Sequence, residues 1–119
     1  MNDHQQSTAQ VPLRFVIEGA SHAGDGTLCC PVCGGDYVHI GPVIIEQGQT
    51  QTRIERDSTF VGGTDRGEHY RGSSVQIRFY GECGHLFWYD FAFYKGNVSA
   101  SLGHREITPD EPWLTLWRD

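Results

Sequence analysis

Cysteine and histidine carry most of the chemistry available to this chain. Cys30-Pro31-Val32-Cys33-Gly34 is a C-P-x-C-G run, and Cys83-Gly84-His85 follows far downstream. A C-x-x-C turn points two thiolates at one spot, and zinc takes about four N or S ligands in a tetrahedron. Pro31 stiffens that turn. Gly34 lets the backbone fold back, so that amide N–H groups can hydrogen-bond the thiolates. Cys30 and Cys33 then supply half of a metal site, and Cys83 is the third ligand. His85 is the first choice for the fourth, because a C-x-H step can place both groups on one hairpin tip. His39 is the alternative, reaching back along the strand that follows the first pair. Cys29 and Glu82 are further donors, and water would complete the site if no fourth protein ligand existed, opening it to catalysis.

Other uses of the same residues are less favoured. A redox dithiol normally opens a helix after a strand, whereas Gly34-Gly35-Asp36 and a β-rich run follow here. Unliganded, buried cysteines are the blandest alternative. Iron in the same four-ligand cage is not separable from zinc by sequence. The expected cofactor is one structural zinc ion, whose apparent binding of roughly 10–16 kcal/mol is comparable with a whole domain's stability.

Catalytic constellations are weak. His104-Arg105-Glu106 matches the H-x-E of zinc deaminases, but it follows the cysteines and no P-C-x-x-C exists. H-E-x-x-H, G-x-S-x-G and P-loop motifs are absent from the sequence. His4, His22, His69 and His104 lie in polar or glycine-rich contexts and read as solvated. The chain is expected not to be an enzyme.

The elements that must position these residues read as β-structure. The 119 residues suffice for one domain, with 38% hydrophobic residues, 15 glycines and a net charge of −6. Residues 1–10 are expected to be a disordered leader, and 11–119 a single domain. Leu13, Phe15 and Ile17 alternate in a candidate strand from Val11 to Glu18. Tyr37 to Glu46 and Gln49 to Val61 form a long hairpin turning at Gln47-Gly48, its return strand polar on at least one face. Val75, Ile77 and Phe79 alternate with Gln76, Arg78 and Tyr80 in the next strand. Leu86 to Tyr94 follows the Cys83 element, turns at Lys95-Gly96-Asn97 and pairs with Val98 to Leu102. No apolar stripe has helical period, although residues 110–117 have room for one helical turn. Trp113 and Trp117 pack either on the domain or on another chain.

No apolar run approaches the roughly 18–20 residues of a spanning helix, and no secretory h-region is visible, so a cytoplasmic location is expected. Thiols stay reduced there, which favours metal ligands over disulfides.

Phe87, Trp88, Tyr89, Phe91, Phe93 and Tyr94 crowd into one strand. Phe87, Tyr89, Phe91 and Phe93 share one face, and Trp88 and Tyr94 the other. A strand apolar on both faces is normally central and covered. Asp90 lies on the Trp88 face, and an unpaired carboxylate is costly to bury, which turns that face toward solvent. Trp88 and Tyr94, with Arg66 and Arg71 of the loop Gly62–Ser73, are therefore the candidate partner-binding residues. Bases can also stack on aromatics, but an acidic chain with few clustered cations is a poor nucleic-acid binder. An edge strand such as Gln49–Thr59 can pair between two copies, leaving monomer and homodimer both open.

The runs C-P-V-C-G-G-D-Y-V-H, V-Q-I-R-F-Y-G-E-C-G-H-L-F and Y-K-G-N resemble those of small zinc-ribbon-like proteins of phages, plasmids, other mobile elements and their hosts. The likeness covers about residues 28–100. The second element departs from the usual C-x-x-C. The resemblance implies an all-β, mainly antiparallel sheet with a zinc-ribbon-like metal knuckle and little helix. It also implies a non-catalytic accessory or inhibitory module that binds a protein of the host or of a competing element. A nucleic-acid-binding ribbon acting as a transcription accessory is the alternative.

Overall fold

A computed structural model describes residues 10–11, 17–18, 26–64 and 72–117, the first two pairs by backbone alone. Its strands are β1 (Gln10–Val11), β2 (Ile17–Glu18), β3 (Thr27–Leu28), β4 (Val38–Gln47), β5 (Thr50–Glu55), β6 (Ser58–Gly63), β7 (Ser73–Gly81), β8 (His85–Tyr94) and β9 (Asn97–Glu106). Among the described residues there is no helix, so the chain is all-β as its alternation predicts. Seven strands form one antiparallel sheet in the order β1-β9-β8-β7-β4-β5-β6, and β2 pairs with β3 in a separate two-stranded ribbon. Nor is any described helix long and apolar enough to cross a membrane.

The turns explain the register. Tyr94 pairs with Asn97 across Lys95-Gly96, and both turn residues have positive φ (54° and 83°). That is the primed two-residue turn whose twist matches a hairpin, and it needs a glycine or a strained residue at each place. The ammonium of Lys95 sits 5.4 Å from the centroid of the Tyr94 ring. The return segment expected from Gln49 to Val61 is two strands, because Arg56-Asp57 turns the chain and Glu55 pairs with Ser58. β6, rather than the whole of Gln49–Thr59, is therefore one edge of the sheet, with β1 at the other.

Strand β4 carries an irregularity. Its register against β7 shifts between Ile40 and Val43, leaving Gly41-Pro42 as a bulge. Pro42 lacks an N–H and is found in sheets at edges or bulges. Here it is fully buried. The extra residue keeps Val38, Ile40, Val43 and Ile45 on one face despite their odd spacing.

Alternation then sorts the two faces. One carries Phe79, Phe87, Tyr89 and Leu102, which pack with Cys30 and Val38 into the core. Phe79 and Phe87 stack at 5.3 Å between centroids, and Tyr89 meets each edge-on at 6.0 Å. The opposite face carries His39, Arg53, Gln76, Arg78, Tyr80, Trp88 and Arg105. Its end nearest Cys83 is closed by the C-terminal segment, which has no helical turn. Trp113 stacks on Tyr80 at 5.5 Å, and the Leu116 N–H donates to the Ile40 carbonyl (2.8 Å) where β5 does not reach. Arg56 donates to the carbonyl and hydroxyl of buried Thr115, while Trp117 is 71% exposed. This segment packs on its own domain.

Candidate metal centre

The two metal elements lie at one end of the sheet. Cys30 and Cys33 sit on the turn joining β3 to β4. That turn closes on itself, with Gly34 N–H donating to the Cys30 carbonyl and Cys30 N–H to the Gly35 carbonyl, both at 2.8 Å. Gly34 has φ +83°, the left-handed conformation glycine tolerates. Cys83 sits on the tip between β7 and β8, and His85 begins β8. The Glu82 N–H donates to the Tyr37 carbonyl (2.9 Å), tying the tip to the first turn.

Cys30, Cys33, Cys83 and His85 converge, their ligand atoms all within 4.8 Å of one another. Nδ1 of His85 is 3.7 Å from Sγ of Cys30 and 3.4 Å from Sγ of Cys83. Tetrahedral zinc, with bonds of about 2.3 Å to sulfur and 2.0–2.1 Å to nitrogen, places S and N about 3.5 Å apart. The side chains thus hold the spacing of a metal's coordination shell and can hold a metal ion. Cys30 is fully buried against the core, whereas Cys33 and Cys83 are exposed.

Glycines make room for the sulfurs. A Cβ on Gly81 would stand 2.9 Å from Sγ of Cys83 and 3.3 Å from the His85 carbonyl. A Cβ on Gly35 would meet Cys83 and Cys33 only at ordinary contact, 3.5 Å and beyond. Cys33 and Cys83 titrate apart. The Cys83 side chain, with the Gly35 backbone, lowers the Cys33 pKa from 9.0 to about 7. Desolvation, then the bond to Cys33, pushes Cys83 up to about 12. Of these two, Cys33 ionises first.

His39 lies elsewhere. It pairs with Tyr80 across β4 and β7, on the face opposite Phe87 and His85. Its Nε2 is 2.7 Å from a carboxylate oxygen of Glu82, and its ring meets Trp113 edge-on at 5.9 Å. Cys29 is also apart from the cluster, buried, its thiol donating to the Thr27 carbonyl at 3.5 Å. The zinc-ribbon likeness holds for one element only. Cys83 sits on a hairpin tip, but the first turn links strands of different sheets.

Trp88 is half-buried, its indole lying over Gly103. Arg78 beside it donates to Gln76 (2.6 Å), which donates to Asp90 (3.1 Å). Burial, then the charges of Arg53 and Arg105, hold the Arg78 pKa below its ordinary value. Tyr94 is 49% exposed. Arg66 and Arg71 lie outside the described residues. The sequence reading missed Phe91, Phe93 and Val98, which are exposed on the other face of the same hairpin end. It also missed the Arg105–Glu111 ion pair that anchors the C-terminal segment. Thr108-Pro109-Asp110-Glu111 was the signal, since T-x-x-E is a capping-box pattern. Its Glu111 carboxylate accepts from the Thr108 N–H at 3.1 Å.

Comparison with family models, with curated proteins and with solved structures finds no match to this chain.

Proposed function

We propose that this is a non-catalytic, zinc-stabilised β module that binds another protein. The observation that carries this reading is the end of the β8–β9 hairpin. Phe91, Phe93, Tyr94 and Val98 are all exposed there, on both faces of the sheet. Large apolar side chains gathered at the surface favour a protein contact. The metal cluster supports it from the other end. Three thiolates and an imidazole are a closed structural set for zinc, with no position left for substrate. Zinc suits that donor set, and iron is its competitor.

The cations give less support to nucleic-acid binding. Arg53 pairs with Glu55 and Arg105 with Glu111 on the face that carries Trp88. The likeness to zinc-ribbon-like proteins of phages and mobile elements suggests that the partner is a protein of the host or of a competing element, met in the cytoplasm.

The test is affinity capture with wild type and a Phe93→Ser/Tyr94→Ser variant. Both residues are exposed, so the variant keeps its fold and metal. A partner held by wild type and lost by the variant supports the reading. Identical capture by both proteins, or salt-sensitive retention of DNA alone, would count against it.

A further inference from the structure

We propose that β6 is a self-association edge, and that two copies of this chain pair antiparallel through it with Val61 facing Val61 of the second copy. Among the described residues β6 is the last strand of the seven-stranded sheet, and all six of its residues are exposed. Its sequence, Ser58-Thr59-Phe60-Val61-Gly62-Gly63, has no charge and no proline, the devices that normally blunt an edge.

The register says which backbone groups are free to pair. Across the two-residue turn Arg56-Asp57, Glu55 and Ser58 form a hydrogen-bonded pair. Such pairs alternate along an antiparallel ladder, so Phe60 bonds to Arg53 and Gly62 to Gln51. The Thr64 N–H, donating to the Gln49 carbonyl at 2.9 Å, continues the same alternation. The N–H and C=O groups of Thr59, Val61 and Gly63 therefore point away from β5.

The strand is its own complement. With Val61 opposite Val61, Thr59 falls opposite Gly63 of the second copy, and every outward group meets an outward group. On one face, Phe60 falls opposite Gly62 of the second copy. A Cβ on Gly62 would meet nothing within 4 Å, so that place is open to the ring, and Phe60 is 54% exposed. An aromatic laid across a strand glycine is a known way of covering it. On the other face Val61, 70% exposed, meets its own copy. Charge also favours this edge. A chain of net −6 repels itself, but Ser58 to Gly63, the residues of the strand itself, carry no charge. Among the described residues, Arg53 and Glu55 of the neighbouring strand, on the Phe60 side, are paired with each other. The pairing is independent of the metal's identity and of what the hairpin end binds.

The test is sedimentation of the full, metal-loaded chain from about 1 µM to about 1 mM. The expected result is a mass rising from one chain to two. Gly62→Lys fills the place of the Phe60 ring without touching its own fold. Val61→Pro removes an outward N–H that β5 does not use. Each should weaken dimerisation by at least about tenfold while metal content and circular dichroism stay unchanged. Phe93→Ser, on β8 and four strands away from β6, should dimerise as wild type does. A wild type that stays single at the highest concentration overturns the proposal. So does a dimer that survives in both folded edge variants.

Discussion

The indole of Trp88 lies directly over the backbone of Gly103. A Cβ built on Gly103 would be 2.4 Å from Cε2 of Trp88 and 2.5 Å from Cζ2 and Nε1. No side chain fits there unless the ring moves. Trp88 is thereby a packing residue as well as a surface one, because β9 gives it a flat seat. Gly103→Ala should cost about 1–3 kcal/mol of stability, the usual range for overpacking. In a Trp88→Ala background the same change should cost little. Urea unfolding of the two single variants and the double variant measures the coupling. Simple additivity of the two costs would show that ring and glycine do not constrain each other.

A second close approach lies inside the metal cluster. Gly81→Ala brings a methyl to 2.9 Å from Sγ of Cys83 and 3.3 Å from the His85 carbonyl oxygen, so the sulfur must shift. Gly35→Ala meets the same sulfur at 3.7 Å, an ordinary contact. The first variant should lose about 10–100-fold in metal affinity, the range seen when the support of a metal ligand is disturbed. The second should stay near wild type. Competition with a chromophoric chelator separates them, and equal affinities would mean that Cys83 does not sit where the geometry puts it.

Glu111 ties the C-terminal segment to β9 and gives stability a sign in acid. The Arg105 guanidinium beside it lowers its pKa from 4.5 to about 2. A carboxylate depressed on folding stabilises fully above its unfolded pKa and loses that contribution as pH falls through the folded one. The window is therefore about pH 4.5 down to about 2. Glu111→Gln should be less stable than wild type by about 1 kcal/mol at neutral pH. The gap should close across that window, and denaturation followed from pH 7 to pH 2 reads it. Subtracting the two curves removes the acid release of metal common to both. A gap that does not vary with pH would mean the ion pair adds nothing.

Much of the fold was legible because strand alternation is a local signal. Val75, Ile77 and Phe79 against Gln76, Arg78 and Tyr80 appear in the sheet as the sequence orders them, and the cysteine spacing marked both metal elements. What stayed hidden depends on distant chain. The turn at Arg56-Asp57 has no glycine, so nothing local divided β5 from β6. Phe91 and Phe93 look like the buried Phe87 and Tyr89 in sequence. They differ because Cys30 packs with Phe87 and Tyr89, whereas Phe91 and Phe93, farther along β8 from the metal cluster, are exposed. The choice between His39 and His85 turned on which face each occupies, and the Gly41-Pro42 bulge helps to set that register.

That choice yields the most direct measurement. His85 brings Nδ1 within 3.4 Å of Sγ of Cys83, whereas His39 is held by Glu82 on the opposite face. Elemental analysis should find one metal ion per wild-type chain, zinc if the donor set decides, and iron if the competing cage is filled. His85→Ala should lose or weaken that ion, and His39→Ala should keep it. Because a closed thiolate site is worth on the order of 10 kcal/mol, stripping the metal with a chelator should unfold the domain rather than merely soften it. Loss of the ion in His39→Ala with retention in His85→Ala would reverse the ligand assignment. A folded, fully metal-free wild type would leave Cys30, Cys33 and Cys83 as thiols, with Cys33 more reactive than Cys83, since its pKa is about 7 against about 12.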